Sequence, residues 1–256
     1  MILEKFSLEG QVGIVTGAGQ GLGKVFALAF AQAGADVVIA EINPDTGLQT
    51  VQDVRALGRR ALYVETDVRR RERVEAMVAA ALTEFGQVDF MMNNAGITRW
   101  CEAEAVPEGD WLDVVDVNLN GLFYCCQAVA KHMIERRSGR IVNIASMSGM
   151  IVNRPQPQAS YNATKAAVIH LTRSLAAEWA PYNVRVNAIA PGYMDTPMAR
   201  PFFDDPKYGG LWIDAIPMKR PGRPEELAPV AVLLASEASS YMTGTTVVID
   251  GGYSVW

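Results

Sequence analysis

Seven short apolar runs, each separated from the next by a longer amphipathic segment, constrain this 256-residue chain more than any other feature. The runs are "VGIVTG" (12–17), "DVVIA" (36–40), "ALYVE" (61–65), "VDFMM" (88–92), "RIVNIA" (140–145), "VRVNAIA" (184–190) and "TVVID" (246–250). Their hydrophobicity is nearly continuous rather than alternating, the pattern of strands covered on both faces. Between them, helical periodicity predicts helices over 21–33, 44–57, 70–86, 107–137, 159–180 and 224–236. Strand–helix alternation implies right-handed crossovers. The expected class is therefore α/β: a Rossmann-like, doubly wound parallel sheet of about seven strands with helices on both faces. No repeat, low-complexity tract or linker interrupts it, so residues 1–256 read as a single domain. In such a sheet, ligands bind beyond the carboxyl ends of the strands.

Bulk properties exclude several partners. The net charge of −5 disfavours nucleic acid and anionic lipid surfaces. No apolar run approaches the roughly 18 residues of a membrane span. Glu4 and Lys5 stand where a secretory signal needs an apolar core, so a cytoplasmic location is expected. Cys101, Cys125 and Cys126 lack metal-site spacing and read as small core residues in a reducing compartment. The run "RRRER" (69–73) reads as a solvated helix start, and His132 and His170 as packed or surface side chains. No metal site is expected.

The first run leads into "TGAGQGLG" (16–23), which opens the first helix. Glycines here permit a tight turn, close backbone approach and close helix–sheet packing. The helix N-terminus then presents N–H groups to a pyrophosphate. Gly17, Gln20, Gly21 and Leu22 are thus candidates for holding a dinucleotide. Glu41 closes the second strand, about 20 residues further on, where a carboxylate accepts from ribose hydroxyls and repels a 2′-phosphate. Its neighbours Gln20, Ile42 and Asn43 bring no cation, so NAD is expected rather than NADP. Asp67 and Val68, at the end of the third strand, are candidates for the adenine amino group and ring.

In "ASYNATKAA" (159–167), Tyr161 and Lys165 stand four apart. That spacing puts them on one helix face with Cβ atoms about 5–6 Å apart. A free tyrosine, with a pKa of about 10, is a poor base at neutral pH. A fixed ammonium beside it favours phenolate. The pair therefore reads as a proton acceptor, Tyr161, whose pKa is lowered by Lys165.

Together, "TGAGQGLG" (16–23), "NNAG" (93–96), Asn118 in "VNLNG", "RIVNIAS" (140–146), "YNATK" (161–165) and "PGYMDT" (191–196) resemble the short-chain dehydrogenase/reductase family over nearly the whole chain. The resemblance implies a single Rossmann-like domain, commonly tetrameric, that moves hydride between a nicotinamide and a CH–OH group. It implies that Asn94, Ala95 and Gly96 support the cofactor, and that Thr196 with the backbone of Pro191 and Gly192 holds the carboxamide. It further implies a catalytic set of Asn118, a serine, Tyr161 and Lys165, with Lys165 also on the nicotinamide ribose. Asn118 would anchor a water that joins Lys165 to solvent. Two serines compete. Ser148 lies thirteen residues before Tyr161, the separation commonest in the family; Ser146 lies fifteen before but matches the local "NIAS" pattern. Ser146 is the choice if two residues are inserted within 150–160, which leaves Ser148 to line the pocket. Some relatives bind Mg²⁺ near the chain end, where this chain offers the Trp256 carboxylate.

The stretch "MIVNRPQPQAS" (150–160) brings the amides of Asn153, Gln156 and Gln158. Amides donate and accept, which suits several hydroxyls. This stretch resembles the family's mannitol, sorbitol and galactitol dehydrogenases. The expected substrate is a polyol or related secondary alcohol, interconverted with its ketone. Reduction of a 3-oxoacyl thioester is the alternative within the family, and a catalytically silent nucleotide-binding scaffold the alternative outside it. Residues 194–216 hold Met194, Met198, Phe202, Phe203, Tyr208, Trp212 and Ile213 among prolines and glycines. They read as a substrate lid or an aromatic cluster packed on the core.

Overall fold

All seven apolar runs become strands: β1 Val12–Thr16, β2 Asp36–Glu41, β3 Ala61–Glu65, β4 Phe90–Asn93, β5 Gly139–Ile144, β6 Val184–Pro191 and β7 Thr246–Ile249. The computed structural model describes residues 1–255 and joins these strands in one parallel sheet, ordered β3-β2-β1-β4-β5-β6-β7. Every residue of β1, β2 and β4 is buried. The edge strands β3 and β7 are mostly half-buried, so the interior carries the continuous hydrophobic runs.

Successive side chains point to opposite faces, and two cores follow. Ile14, Val38, Met91 and Ile141 face one core, closed by α3 (Arg71–Phe85), α5 (Leu122–Arg136) and α6 (Ala159–Trp179). Val15, Ile39, Phe90 and Val142 face the other, closed by α1 (Gly21–Gln32), α2 (Pro44–Ala56) and α9 (Ala228–Ala235). Each fully buried Phe, Ile or Met side chain contributes about 1.5–3 kcal/mol. Phe30 of α1 meets Phe90 of β4 edge-on, with centroids 4.7 Å apart, which ties α1 to the sheet beside the crevice. Cys125 and Cys126 lie in the core; burial pushes the Cys126 thiol up to about 12. His132 is packed against the backbone of Val88, and His170 is exposed. Among the described residues, no helix is long and apolar enough to cross a membrane.

The helix expected over 107–137 is not continuous. It consists of α4 (Glu108–Val115), a π-helical turn at Asp116–Gly121 and α5. Such a turn makes room for one additional residue inside a helix and is frequent at functional sites. Here it carries Asn118. The expected helix over 224–236 begins as a 3₁₀ turn at Pro224–Leu227 before α9. Two short helices, α7 (Arg200–Phe203) and α8 (Gly209–Ala215), lie in the segment read as a lid. The chain reverses direction across the sheet between β1 and β4, and the crevice at that switch point receives the motifs.

Candidate active site

A cavity of about 620 Å³ opens above the carboxyl ends of the strands. At one end lies the glycine turn. Gly17 and Gly21 have φ of +62° and +54°, in the left-handed region. A Cβ on Gly23 would stand 2.1 Å from the Gly17 carbonyl oxygen, so only glycine lets α1 approach this closely. Gln20 caps α1 without a side-chain hydrogen bond, leaving the first N–H groups for an anion. Asn94 braces the turn from β4: its Nδ2 donates to the carbonyls of Thr16 (3.0 Å) and Gly17 (3.2 Å). The N–H groups of Asn94 and Ala95 both donate to Thr16 Oγ1, at 3.0 and 3.1 Å. Asn94 therefore holds the cradle's backbone; Leu22, Ala95 and Gly96 line the cavity.

Glu41 is buried at the end of β2. Its Oε2 accepts from the Gly19 N–H at 2.9 Å, and its Oε1 from Ile42 and Asn43 at 2.9 and 3.1 Å. One carboxylate thus fixes the glycine turn and faces the cavity as a negative charge. Asp67 is held by Arg69 through bonds of 3.0 and 2.8 Å, and that guanidinium keeps the carboxyl below its usual range. Arg69 also meets Asp113 at 3.4 Å and lines the cavity. The first residue of "RRRER" is thus an exposed cation at the cavity wall, paired with two acids just before the helix that starts at Arg71; sequence spacing carries no sign of this pairing. Val68 packs against Gly121 of the π turn, where an added Cβ would stand 2.8 Å from Val68 Cγ2.

Midway along the cavity, β5, α6 and the π turn bring together Ser146, Tyr161, Lys165 and Asn118. Lys165 is buried, and its Nζ donates to the Ile144 carbonyl at 2.7 Å. Burial pushes the ammonium down to about 8. Nζ stands 5.6 Å from the centroid of the Tyr161 ring. The expectation that Lys165 lowers the Tyr161 pKa is not met in this state. Burial raises the phenol above the ordinary tyrosine value, and the Ser146 hydroxyl is the group that opposes it. The lysine's hydrogen bond goes to the Ile144 carbonyl.

The two serines separate clearly. Ser146 caps the turn Met147–Gly149 and accepts from the Ser148 N–H at 3.1 Å, and its hydroxyl lowers the phenol's pKa against burial. Ser148 Oγ accepts from Gln158 Nε2 at 3.3 Å. Asn118 is fully buried and clamps Ile97, accepting from its N–H at 2.8 Å and donating to its carbonyl at 2.9 Å. A Cβ on Gly96 would lie 3.3 Å from Asn118 Oδ1 and 3.6 Å from Lys165 Nζ, so Gly96 keeps the gap between them.

The far end is aromatic. Trp100 packs on Phe202 and Tyr208 at centroid distances of 4.3 and 5.1 Å. Trp212 of α8 stacks on Tyr193 at 4.2 Å. The segment 194–216 is thus packed by its aromatics. Of the three amides read as facing substrate, Gln156 is committed at both ends, to Tyr193 and Trp212. Asn153 Nδ2 donates to Tyr193 Oη at 3.2 Å, while its Oδ1 is buried without a protein partner. Gln158 Nε2 donates to Ser148 and Asn162. Thr98 Oγ1 and Trp100 Nε1 are likewise buried and unpartnered. Thr98, Trp100 and Tyr193 were not singled out from the sequence; their type and spacing are those of ordinary packing residues. Pro191, Gly192 and Thr196 line the cavity beside the β6 end, where the Thr196 N–H donates to the Met194 carbonyl at 2.8 Å. No group of three or more metal-ligating side chains occurs among the described residues, and Trp256 lies outside them.

Comparison with known proteins agrees with this arrangement. The family model described as enoyl-(acyl carrier protein) reductase matches residues 17–254. Galactitol 2-dehydrogenase of Rhizobium johnstonii is 44% identical, over 99% of this chain and 98% of its own. 2-Dehydro-3-deoxy-D-gluconate 5-dehydrogenase of Escherichia coli is 43% identical, over 99% of both. The crystal structure of gox2181 superimposes with a TM-score of 0.98 at 45% identity, each chain fully covered. With a dinucleotide cradle, a tyrosine–lysine pair and full-length relatives of this kind, the chain belongs to the short-chain dehydrogenase/reductase family and is an oxidoreductase acting on CH–OH groups with a nicotinamide cofactor.

Proposed function

We propose that this enzyme interconverts a polyol, or a closely related polyhydroxylated secondary alcohol, with its ketone, using NAD. The observation that carries the reading is the cavity itself. Ser146, Tyr161 and Lys165 stand between a glycine cradle and a pocket rich in amides and aromatic rings.

The cradle fits a dinucleotide on structural grounds. The α1 N-terminus is uncapped by any side chain, and a Cβ on Gly21 would meet nothing within 4 Å. Gly17, Gln20, Gly21 and Leu22 would hold the pyrophosphate region, Glu41 the adenosine ribose, and Asp67 and Val68 the adenine. Asn94, Ala95 and Gly96 would support the middle, and Lys165, Pro191, Gly192 and Thr196 the nicotinamide end. When bound, NAD supplies the hydride acceptor and, in its oxidised form, a positive charge that favours phenolate. Glu41 favours NAD over NADP, because a 2′-phosphate would bring a second anion against a buried carboxylate.

On the protein's side, Ser146 Oγ holds the reacting oxygen and Tyr161 Oη takes its proton in oxidation and returns it in reduction. Lys165 keeps a positive charge beside the phenol, and Asn118 holds the Ile97 backbone and the path between Lys165 and solvent. Removing water strengthens each of these interactions, which is the work of a lid at 194–216. Thr98 Oγ1, Trp100 Nε1 and Asn153 Oδ1 have hydrogen-bonding capacity the protein leaves unmet. An unpaired buried polar group costs about 1–3 kcal/mol, which favours a ligand that both donates and accepts. Ser148, Asn153 and Gln158 complete that polar wall. The names of the galactitol and deoxygluconate dehydrogenases point the same way.

The whole chain is taken to act as one domain, in the cytoplasm and as a homotetramer; sedimentation of the purified protein tests the assembly. Following nicotinamide absorbance with NAD⁺ or NADP⁺ and a panel of polyols, 2-ketoses and 3-oxoacyl thioesters tests the activity. Turnover of a polyol with NAD⁺ supports the reading. Exclusive reduction of the thioester would replace it with the acyl reductase suggested by the family model's description, and no turnover at all would favour a nucleotide-binding scaffold.

A further inference from the structure

Gln156 stands at the centre of a buried polar chain that proton and hydride transfer do not require. Its Nε2 donates to Tyr193 Oη at 2.8 Å, and its Oε1 accepts from Trp212 Nε1 at 3.0 Å. Gln156 is 5% exposed and Trp212 2%. Tyr193 also accepts from Asn153 Nδ2, stacks on the Trp212 indole with planes 13° apart, and meets the Tyr253 ring edge-on at 5.3 Å. Four segments distant in sequence thus converge: the loop before α6, the turn after β6, helix α8 and the C-terminal turn. Helix α8 has seven residues, too few for its own hydrogen bonds to fix it, so its position depends on its contacts. An apolar side chain at 156 would leave an indole N–H buried and unpaired and would release the amide that orients Tyr193.

We propose that Gln156 is a positioning residue, a latch that locks α8 and Tyr193 into one arrangement of the pocket wall and so sets which alcohols are admitted. The substrate half of this statement rests on the cavity being an alcohol site. The latch itself rests only on the hydrogen bonds. Gln156 therefore acts through Trp212 and Tyr193, to which both ends of its amide are committed.

The test compares Gln156→Leu, Trp212→Phe and the double variant with the full-length enzyme. Hydrogen exchange is read over 209–215, with the 159–179 helix as internal reference. NADH binding is read by fluorescence, and kinetics are read with galactitol and with 2-butanol. Exchange over 209–215 should accelerate on the order of tenfold, the reference and NADH affinity staying unchanged. The specificity constant for galactitol should fall on the order of tenfold relative to 2-butanol, chiefly through KM. Trp212→Phe, which keeps an aromatic ring and deletes the indole N–H, should reproduce the effect even if Gln156→Leu folds poorly. The double variant should be no worse than the worse single variant, because both break one bond. Unchanged exchange over 209–215 in both single variants would overturn the latch, as would equal losses on both alcohols. If the wild-type enzyme oxidises no polyol, the alcohol reading fails alone, and the exchange measurement still decides the latch.

Discussion

Replacing Lys165 with methionine should make the protein more stable while disabling it. Lys165 is 3% exposed, and burial lowers its pKa from 10.5 to about 8. That drop corresponds to about 3 kcal/mol of unfavourable folding free energy. The sign follows from proton counts. Between about pH 8 and 10.5 the unfolded chain binds more protons than the folded one, so stability rises with pH across that window. Below about pH 8 the whole cost is present. Methionine fills a similar volume without charge but forfeits the bond to the Ile144 carbonyl, worth about 1 kcal/mol. The net gain at pH 7 is about 2 kcal/mol, which for a chain of this size raises Tm by about 4–8 °C. Urea unfolding of both proteins at pH 7 and at about pH 10 measures it. The advantage of Lys165→Met should be largest at neutral pH and nearly gone at the alkaline end. A variant no more stable than wild type at pH 7, or a difference that ignores pH, would refute the account of Lys165 as a costly buried charge kept for function.

Other substitutions separate the remaining roles. Tyr161→Phe should keep NADH binding, read by fluorescence, and lose on the order of 10²–10⁴ in turnover. Ser146→Ala should shift the rising limb of the oxidation rate, where Tyr161 loses its proton, to higher pH, since Ser146 is the group that lowers the phenol's pKa against burial; Ser148→Ala should leave that limb in place. Glu41→Gln keeps an acceptor for the Gly19 N–H but removes the charge, so the ratio of specificity constants for NADP⁺ over NAD⁺ should rise by about tenfold or more. Asn94→Ala removes the bonds to the Thr16 and Gly17 carbonyls and should weaken NADH binding along with about 1–3 kcal/mol of stability.

The sheet was legible because buried parallel strands leave an unmistakable apolar run, and all seven emerge within a residue or two of their expected limits. The glycine cradle was legible because turns that need φ above zero restrict residue type. Interactions that depend on which side chains meet were not. Nothing in the spacing of Gln156, Tyr193 and Trp212 tells that one amide serves both rings. Nor does spacing reveal that Lys165 turns to the Ile144 carbonyl, or that burial raises the Tyr161 phenol. The choice between Ser146 and Ser148 rests on two sequence cues that disagree, the separation from Tyr161 and the local "NIAS" pattern, whereas in space Gln158 holds the Ser148 hydroxyl and the Ser146 hydroxyl lowers the phenol's pKa. The π turn escaped notice because residues 107–137 keep a helical pattern on either side of it.

That wide turn carries one residue more than a regular helix sweeping the same angle. Deleting a single residue from Asp116–Gly121 would let one uninterrupted helix form, with every carbonyl partnered four residues on. The tighter turn would sweep nearly the same angle, so α5 would keep Cys125, Cys126 and Val129 on the core. What would change is the turn itself, which now aims Asn118 at both backbone groups of Ile97. Local regularity and correct aim compete within one turn, so a chain shortened there should keep its core and lose the grip of Asn118.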